Sequence, residues 1–436
     1  MSLKVFTHPC ISTMFKFVGG TLKKAMFREN SIESFADKYS KLQLKVNPII
    51  DDTTLRDGIQ MPGTAASPRQ ARHIAYLLDA MGVERIELHQ YQKPDQEAIK
   101  LIQRMGLNAR VASWCRAVKE DVNIALKLDV SEIGVSHPVS NIHFQAKWPN
   151  IPPDTLLSNV VSVVEYAKSH GLTVFVHGED STRADWNFER KFINAIAAAG
   201  ADVYRVCDTV GVGIANPNAP LPNGICLKIK KIKDETNIKS IEIHAHDDLG
   251  NAVENTIAAV NAADGLFDDV YLSTTMLGMG ERAGNAETEK VMMNLYLHYG
   301  VSKFENGLFW LKEVADYVSH ATGVTIPPNK AIVGSYAFAH QSGIHTHGVL
   351  RNPFTYEPFP PKLVGNVRKL TIGKQSGKTI IVHKVEELTG NKVDLNDPRL
   401  EVLVKAIKNI YASGERKSTL KEEEFKKMVN KAKLTN

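Results

Sequence analysis

The segment Glu242-Ile243-His244-Ala245-His246-Asp247-Asp248 sets two imidazoles two residues apart. On a strand, side chains alternate between faces, so His244 and His246 point the same way and can address one cation. Far upstream, the polar run Asp51-Asp52-Thr53-Thr54-Leu55-Arg56-Asp57-Gly58-Ile59-Gln60 follows the short apolar stretch Val46-Asn47-Pro48-Ile49-Ile50. Two imidazoles and the Asp57 carboxylate, with coordination positions left open, suit a divalent Lewis acid such as Zn, Mn or Mg. The H-x-H pattern alone fits a pair of hydrogen-bonded structural histidines equally well; the convergent acid favours the metal. Asn285, in Gly280-Glu281-Arg282-Ala283-Gly284-Asn285, can add an oxygen ligand or a hydrogen bond to one.

Arg56 stands beside Asp57. A guanidinium is never deprotonated and can hold a carboxylate or an enolate oxygen, although a salt bridge closing the loop is the plainer use. Arg116, Glu179, Asp180, Arg183 and Thr209 also fall where strands end, and Arg116 with Thr209 could bind a substrate carboxylate, against the commoner fate of loop capping. The glycine-rich run from Gly278 to Asn285 is a weak signal by itself and gains some weight where barrels bind phosphates. His340, His345 and His347 cluster near Tyr356 with flanking glycines, as a mobile acid/base segment would.

These residues need a scaffold that gathers strand ends. From residue 46 to about 300, short β-branched runs alternate with segments of helical period, the pattern of repeated βα units. Strands are expected at 48–53, 85–89, 109–114, 132–136, 173–177, 203–207, 240–244 and 269–273. Intervening segments such as SPRQARHIAYLLDAMG carry apolar residues at i, i+3, i+4 and i+7 and stop at glycine. Eight such units over roughly 250 residues give a (β/α)8 TIM barrel, with a doubly wound open sheet as the alternative. The expected organisation is an N-terminal arm over 1–45, a catalytic barrel over 46–300, and a linker with helical subdomains over 301–436. In the last of these, GLFWLKEVADYVSHATG reads as an amphipathic helix, and the His-rich stretch 331–361 as irregular.

Composition narrows the partners. The 436 residues are 43% hydrophobic and 23% charged, with net charge +5 interleaved with acids, which argues against a nucleic-acid surface and accommodates a small anionic ligand. No apolar run is long enough to span a bilayer. Cysteines at 10, 115, 207 and 226 show no paired spacing, which points to a reducing compartment and the cytoplasm. The first 28 residues carry Lys and Arg but no acid, reading as a basic arm with a weak echo of a transit peptide.

The runs DTTLRDG-x-Q, HAHDDLGNA, GERAGNA, FAHQSGIHTHGVL, NPFTYE and IGKQSGK, in this order, resemble the acetyl-CoA-dependent 2-oxo acid condensing enzymes: homocitrate, 2-isopropylmalate and citramalate synthases. The resemblance implies a barrel in which a divalent metal chelates the 2-oxo acid, with Asp57, His244 and His246 as ligands and Asn285 nearby. It implies that Arg56 polarises the carbonyl, that Gln60 and Thr209 position substrate, and that His345, donated by the partner subunit of a homodimer and assisted by Tyr356 and Glu242, deprotonates acetyl-CoA. Arg116 and Glu179 complete the expected substrate-binding set, and His89, Tyr91, His137 and His143 are expected to meet the acceptor's side chain. Two departures stand out: the family's Glu before Gln60 is Ile59, and lysine-pathway homocitrate synthases carry Arg where Phe175 stands. A hydroxymethylglutaryl-CoA-type retro-aldol lyase is similar in barrel and metal site, but needs a Cys in the loop after strand 8 that this chain lacks.

Overall fold

The computed structural model describes residue 39 and residues 41–434, so the expected arm lies almost wholly outside the described residues. Strands β1 (Asn47–Asp52), β2 (Arg85–Leu88), β3 (Arg110–Arg116), β4 (Glu132–Pro138), β5 (Thr173–Glu179), β6 (Val203–Asp208), β7 (Ser240–Ala245) and β8 (Asp269–Thr274) form one closed parallel barrel in chain order. β8 pairs back onto β1, with Asp51 opposite Ser273, so the alternative of an open sheet is set aside. The first helix, Pro68–Met81, shows why the elements sit where they do. Ser67 Oγ accepts from the Gln70 N–H, Gln70 returns a bond to the Ser67 N–H, and Gly82 ends the helix at φ 88°. Its Ala71, Ile74, Leu78 and Met81 bury one face against the strands.

Side chains alternate between two environments. Ile50, Ile86, Ile133, Val174, Val176, Ile241, Ile243 and Leu272 point outward into the main apolar core beneath the helices. The inward set is charged where branched apolar layers are usual. Arg85 bonds Asp51 (3.0 Å) and Glu242, and Arg205 bonds Glu87 (2.7 Å), Glu242 (2.9 Å) and Asp51, all of them buried. The Phe175 ring caps both guanidiniums, its centre 3.9 Å from Arg85 and 4.7 Å from Arg205.

Past the barrel the helix Leu311–Thr322 lies within the expected amphipathic segment. The stretch expected to be irregular contains a helix, Gly343–Arg351, and the strand β9 (Ala339–His340), which pairs with β10 (Lys369–Leu370) beyond it. Gly343 and Gly348 suggest breaks in the sequence, yet they serve close approach: a Cβ at Gly343 would lie 3.1 Å from the Gly377 backbone, and one at Gly348 2.8 Å from Thr355 Oγ1. Helices Lys378–Thr389, Pro398–Ile410 and Glu422–Lys431 share a second core of Ile381, Val385, Leu403, Ile407, Phe425 and Val429, separate from the first. Among the described residues no helix is long and apolar enough to cross a membrane.

Candidate metal centre and active site

Asp57 lies in the turn between β1 and the short helical turn Gly58–Gln60, past the strand end where the sequence suggests it. His244 is on β7 and His246 just beyond it, where β7 gives way to the loop. The three ligand atoms lie within 4.8 Å of one another, with Asp57 Oδ2 3.1 Å from His244 Nε2 and 3.8 Å from His246 Nε2. Each imidazole is oriented through its other nitrogen: His244 Nδ1 meets Ser273 Oγ at 2.9 Å and His246 Nδ1 meets the Gly284 carbonyl at 3.2 Å. Burial pushes His244 down to about 3 and lowers His246, against the pull of Asp57, so both present neutral lone pairs. Burial alone would raise Asp57, but Arg56 and the two histidines hold it well below the usual carboxylate range.

The residues present fit a divalent cation. Asp57 Oδ1 and Asn285 Oδ1 are buried without hydrogen-bond partners, and Asn285 is the bridge partner of His246 across the loop after β8. Neutral imidazole, carboxylate and amide oxygen, all buried, are an N/O donor set suited to Zn, Mn or Mg.

Arg56 is gripped from two sides, Nε by Glu87 Oε1 at 2.6 Å and Nη1 by Asp57 Oδ2 at 3.0 Å, leaving Nη2 buried and unpaired. Glu87 also holds Arg205, so the mouth stands directly on the ion layer of the interior. Sequence reading passed over Glu87 and Arg205, although charged residues at inward positions in Arg85-Ile86-Glu87-Leu88 and Val203-Tyr204-Arg205-Val206 were a visible signal. The same layer corrects one expectation. Glu242 is not at the mouth: it lies one inward position below His244, fully buried, its carboxylate held by Arg85 and Arg205.

Other expected residues spread around the rim. Arg116, its side chain largely exposed, gives its guanidinium to Asp121 at 2.9 Å and lies over the Tyr91 ring. Glu179 pairs with Lys147 at 2.8 Å and faces His143 at 3.3 Å. Thr209 Oγ1 accepts the Asp180 N–H, Arg183 pairs with Asp180, and Gln60 is exposed on the turn after Asp57. His89, with a buried unpaired Nδ1, joins Trp114 and Tyr91 in an aromatic wall. His137 does not belong to it: it faces the helix layer, stacked on Trp148 at 5.2 Å with Nδ1 on the Pro138 carbonyl. Ile59 borders a small cavity in which Leu55, Leu88 and Ala71 meet His89 and Asp95.

The three histidines beyond the barrel separate. His340 is buried on Glu357, which Arg368 also holds, whereas His345 stacks on Tyr356 with ring centres 4.0 Å apart. Ile344 beside it is 76% exposed and Tyr356 41%. Among the described residues, no hydrogen bond or ion pair joins His345 or Tyr356 to the Asp57 cluster.

The HMGL-like family model matches residues 47–314, and one described as homocitrate synthase post-HMGL domain-like matches 332–415. A homocitrate synthase of Methanopyrus kandleri is 37% identical, covering 89% of this chain and 93% of its own. An (R)-citramalate synthase of Methanocaldococcus jannaschii is 40% identical (84% and 71%), and a 2-isopropylmalate synthase of the same organism 38% identical (90% and 73%). In structure, a hydroxymethylglutaryl-CoA lyase from Bacillus subtilis is similar with a TM-score of 0.54 at 18% identity, covering 66% of this chain and 97% of that one, a likeness of fold alone. The closed barrel, its two-part architecture and these matches together make the chain a member of the family of homocitrate, citramalate and 2-isopropylmalate synthases, condensing enzymes of the transferase type.

Proposed function

We propose that the protein is a divalent-metal-dependent synthase that condenses acetyl-CoA with a 2-oxo acid. The observation that carries this reading is the buried Asp57–His244–His246 cluster, with Asn285 Oδ1 and Arg56 Nη2 left without partners beside it at the C-terminal face of the barrel. A bound divalent ion would act as a Lewis acid on the acceptor's carbonyl and carboxylate, held by Asp57, His244, His246 and Asn285. Arg56 directs its free N–H at the oxygen on which charge develops. His345, with Tyr356 against its ring, takes a proton from the acetyl methyl. The carbanion carbon forms a bond to C2 of the oxo acid, the carbonyl electron pair moves to oxygen, and that oxygen is protonated. Water then cleaves the thioester, releasing CoA and a 2-hydroxy acid with one more carboxylate. Glu242 serves from below by fixing the arginine layer.

The exposed face bearing Ile344, His345 and Tyr356 supports a homodimer in which each copy lends this segment to the other's barrel mouth. Phe175 supports an acceptor with an uncharged side chain ahead of a second carboxylate, because it covers Arg85 and Arg205, whose charges Asp51, Glu87 and Glu242 already balance. The test is thiol release from acetyl-CoA with Mn or Zn against pyruvate, 2-oxoisovalerate, 2-oxoglutarate, oxaloacetate and glyoxylate. Release with pyruvate or 2-oxoisovalerate supports both statements, and release with 2-oxoglutarate alone keeps the synthase and overturns the argument from Phe175. Silence with every acid overturns the synthase.

A further inference from the structure

Lys330 lies in the linker beyond the barrel, fifteen positions before His345 in the chain, yet its contacts are with the loop after β8. Its Nζ donates to the Leu277 carbonyl at 3.1 Å, pairs with Glu287 Oε1 at 2.9 Å and lies 3.9 Å from Glu289 Oε1. Leu277 is a non-glycine residue at φ 62°, a conformation that persists only where the surroundings hold it. It is held on both sides: Glu289 Oε2 accepts its N–H at 3.1 Å and Lys330 binds its C=O.

The backbone that follows Leu277 wraps Asn285. The Asn285 N–H donates to the Gly278 carbonyl at 3.1 Å and its Nδ2 to the Met279 carbonyl at 2.9 Å. A Cβ at Gly280 would lie 2.2 Å from Asn285 Nδ2 and one at Gly284 1.8 Å from the Gly278 carbonyl oxygen, so the loop admits one arrangement of this amide. That arrangement leaves Asn285 Oδ1 buried and unpaired. Two carboxylates, Glu287 and Glu289, sit at the base of the loop, each with one oxygen lacking a hydrogen bond; Lys330 lies against both, and Lys290 also pairs with Glu287 at 2.9 Å.

We propose that Lys330 is a positioning residue for the metal centre: by pinning Leu277 and balancing the buried Glu289, it holds the loop that sets Asn285 and ties the linker carrying His345 to the site. The inference rests on the metal reading above. Glu287 keeps Lys290 at 2.9 Å, but removing the ammonium leaves the buried Glu289 without its cation and the left-handed Leu277 held from one side only, so the loop relaxes and the Asn285 oxygen is lost to the ion. Outer partners of metal ligands typically contribute about 10- to 100-fold to metal affinity.

The test uses the full-length protein, Mn2+ as the probe and electron paramagnetic resonance of free Mn2+ as the readout, which is independent of the acceptor. Lys330→Met is expected to weaken Mn2+ binding about tenfold or more with the stoichiometry unchanged. Adding Leu277→Gly to Lys330→Met should recover at least part of that loss, since glycine adopts this φ without a clamp. A purely structural lysine would not respond to that second change. Lys330→Met binding Mn2+ within about twofold of the parent, or a loss that Leu277→Gly leaves untouched, overturns the proposal. Should Lys330→Met fail to fold, Lys330→Met with Glu289→Gln restores the charge balance and faces the same two criteria. A parent protein that takes up no Mn2+ overturns the metal reading itself, an outcome distinct from any result on the variants.

Discussion

Replacing Glu87 by Gln tests whether the interior ion layer holds the site up. Glu87 is fully buried, with one oxygen 2.6 Å from Arg56 Nε and the other 2.7 Å from Arg205 Nη2. Gln keeps the volume and one acceptor but turns an NH2 toward a guanidinium, setting donor against donor. Removing one partner of a buried ion pair costs about 3–5 kcal/mol. Part is offset here, because Arg205 keeps Asp51 and Glu242 as partners. The net loss is therefore about 2–3 kcal/mol, which for a barrel of this size lowers the melting midpoint by roughly 4–12 °C. Arg56, freed at Nε, also loses its fixed aim, and a misplacement of about 1 Å is worth on the order of a hundredfold in kcat. Scanning calorimetry and initial rates measure both, with Glu401→Gln, from an exposed pair with Lys378, as a control expected to change stability by under about 0.5 kcal/mol. An E87Q protein that melts within about 2 °C of the parent and keeps its kcat would refute the reasoning.

Asp57→Ala and His244→Ala should each abolish stoichiometric Mn or Zn uptake, and full metal content by elemental analysis in either variant would defeat the ligand assignment. His345→Ala should abolish exchange of the acetyl-CoA methyl protons with solvent deuterium while oxo acid binding by calorimetry persists; retained exchange would take His345 out of the mechanism. Burial holds His137 down at about 4 against 6.5 for a free imidazole, so its stabilising share is complete above the unfolded pKa and is lost as pH falls through 6.5 toward 4. His137→Phe should therefore spare roughly 2–3 kcal/mol of the acid destabilisation between pH about 7.5 and about 4.5, and equal losses in parent and variant would contradict the buried neutral imidazole.

The barrel was legible because its strands are apolar runs that end in polar residues, so the period of two and the strand ends marked both the fold and the mouth. The positions of His244 and His246 followed from that same alternation. Position along a strand says only that Arg116 and His137 are near the mouth; the pairing of Arg116 with Asp121 and the outward face of His137 on Trp148 depend on residues elsewhere in the chain. Glu242 was read from a motif, whereas its height in the barrel depends on Arg85 and Arg205, which come from distant strands. The helix at Gly343–Arg351 was hidden because its glycines look like breaks when the neighbours that require them, Gly377 and Thr355, are not in view.

The charged layer also bears on how the barrel assembles. Asp51, Arg85, Arg205 and Glu242 come from β1, β2, β6 and β7, so neither half of the barrel holds all its partners. A strand slipped by one residue would turn its charge into the apolar layer under the helices and its aliphatic side chains inward. A half-closed sheet would strand Arg205 without Asp51 and Glu87, an arrangement as unfavourable as any single broken pair. The ion layer therefore works as a registration device: it makes correct strand alignment and ring closure one cooperative event, and it leaves little room for stable partial barrels along the way.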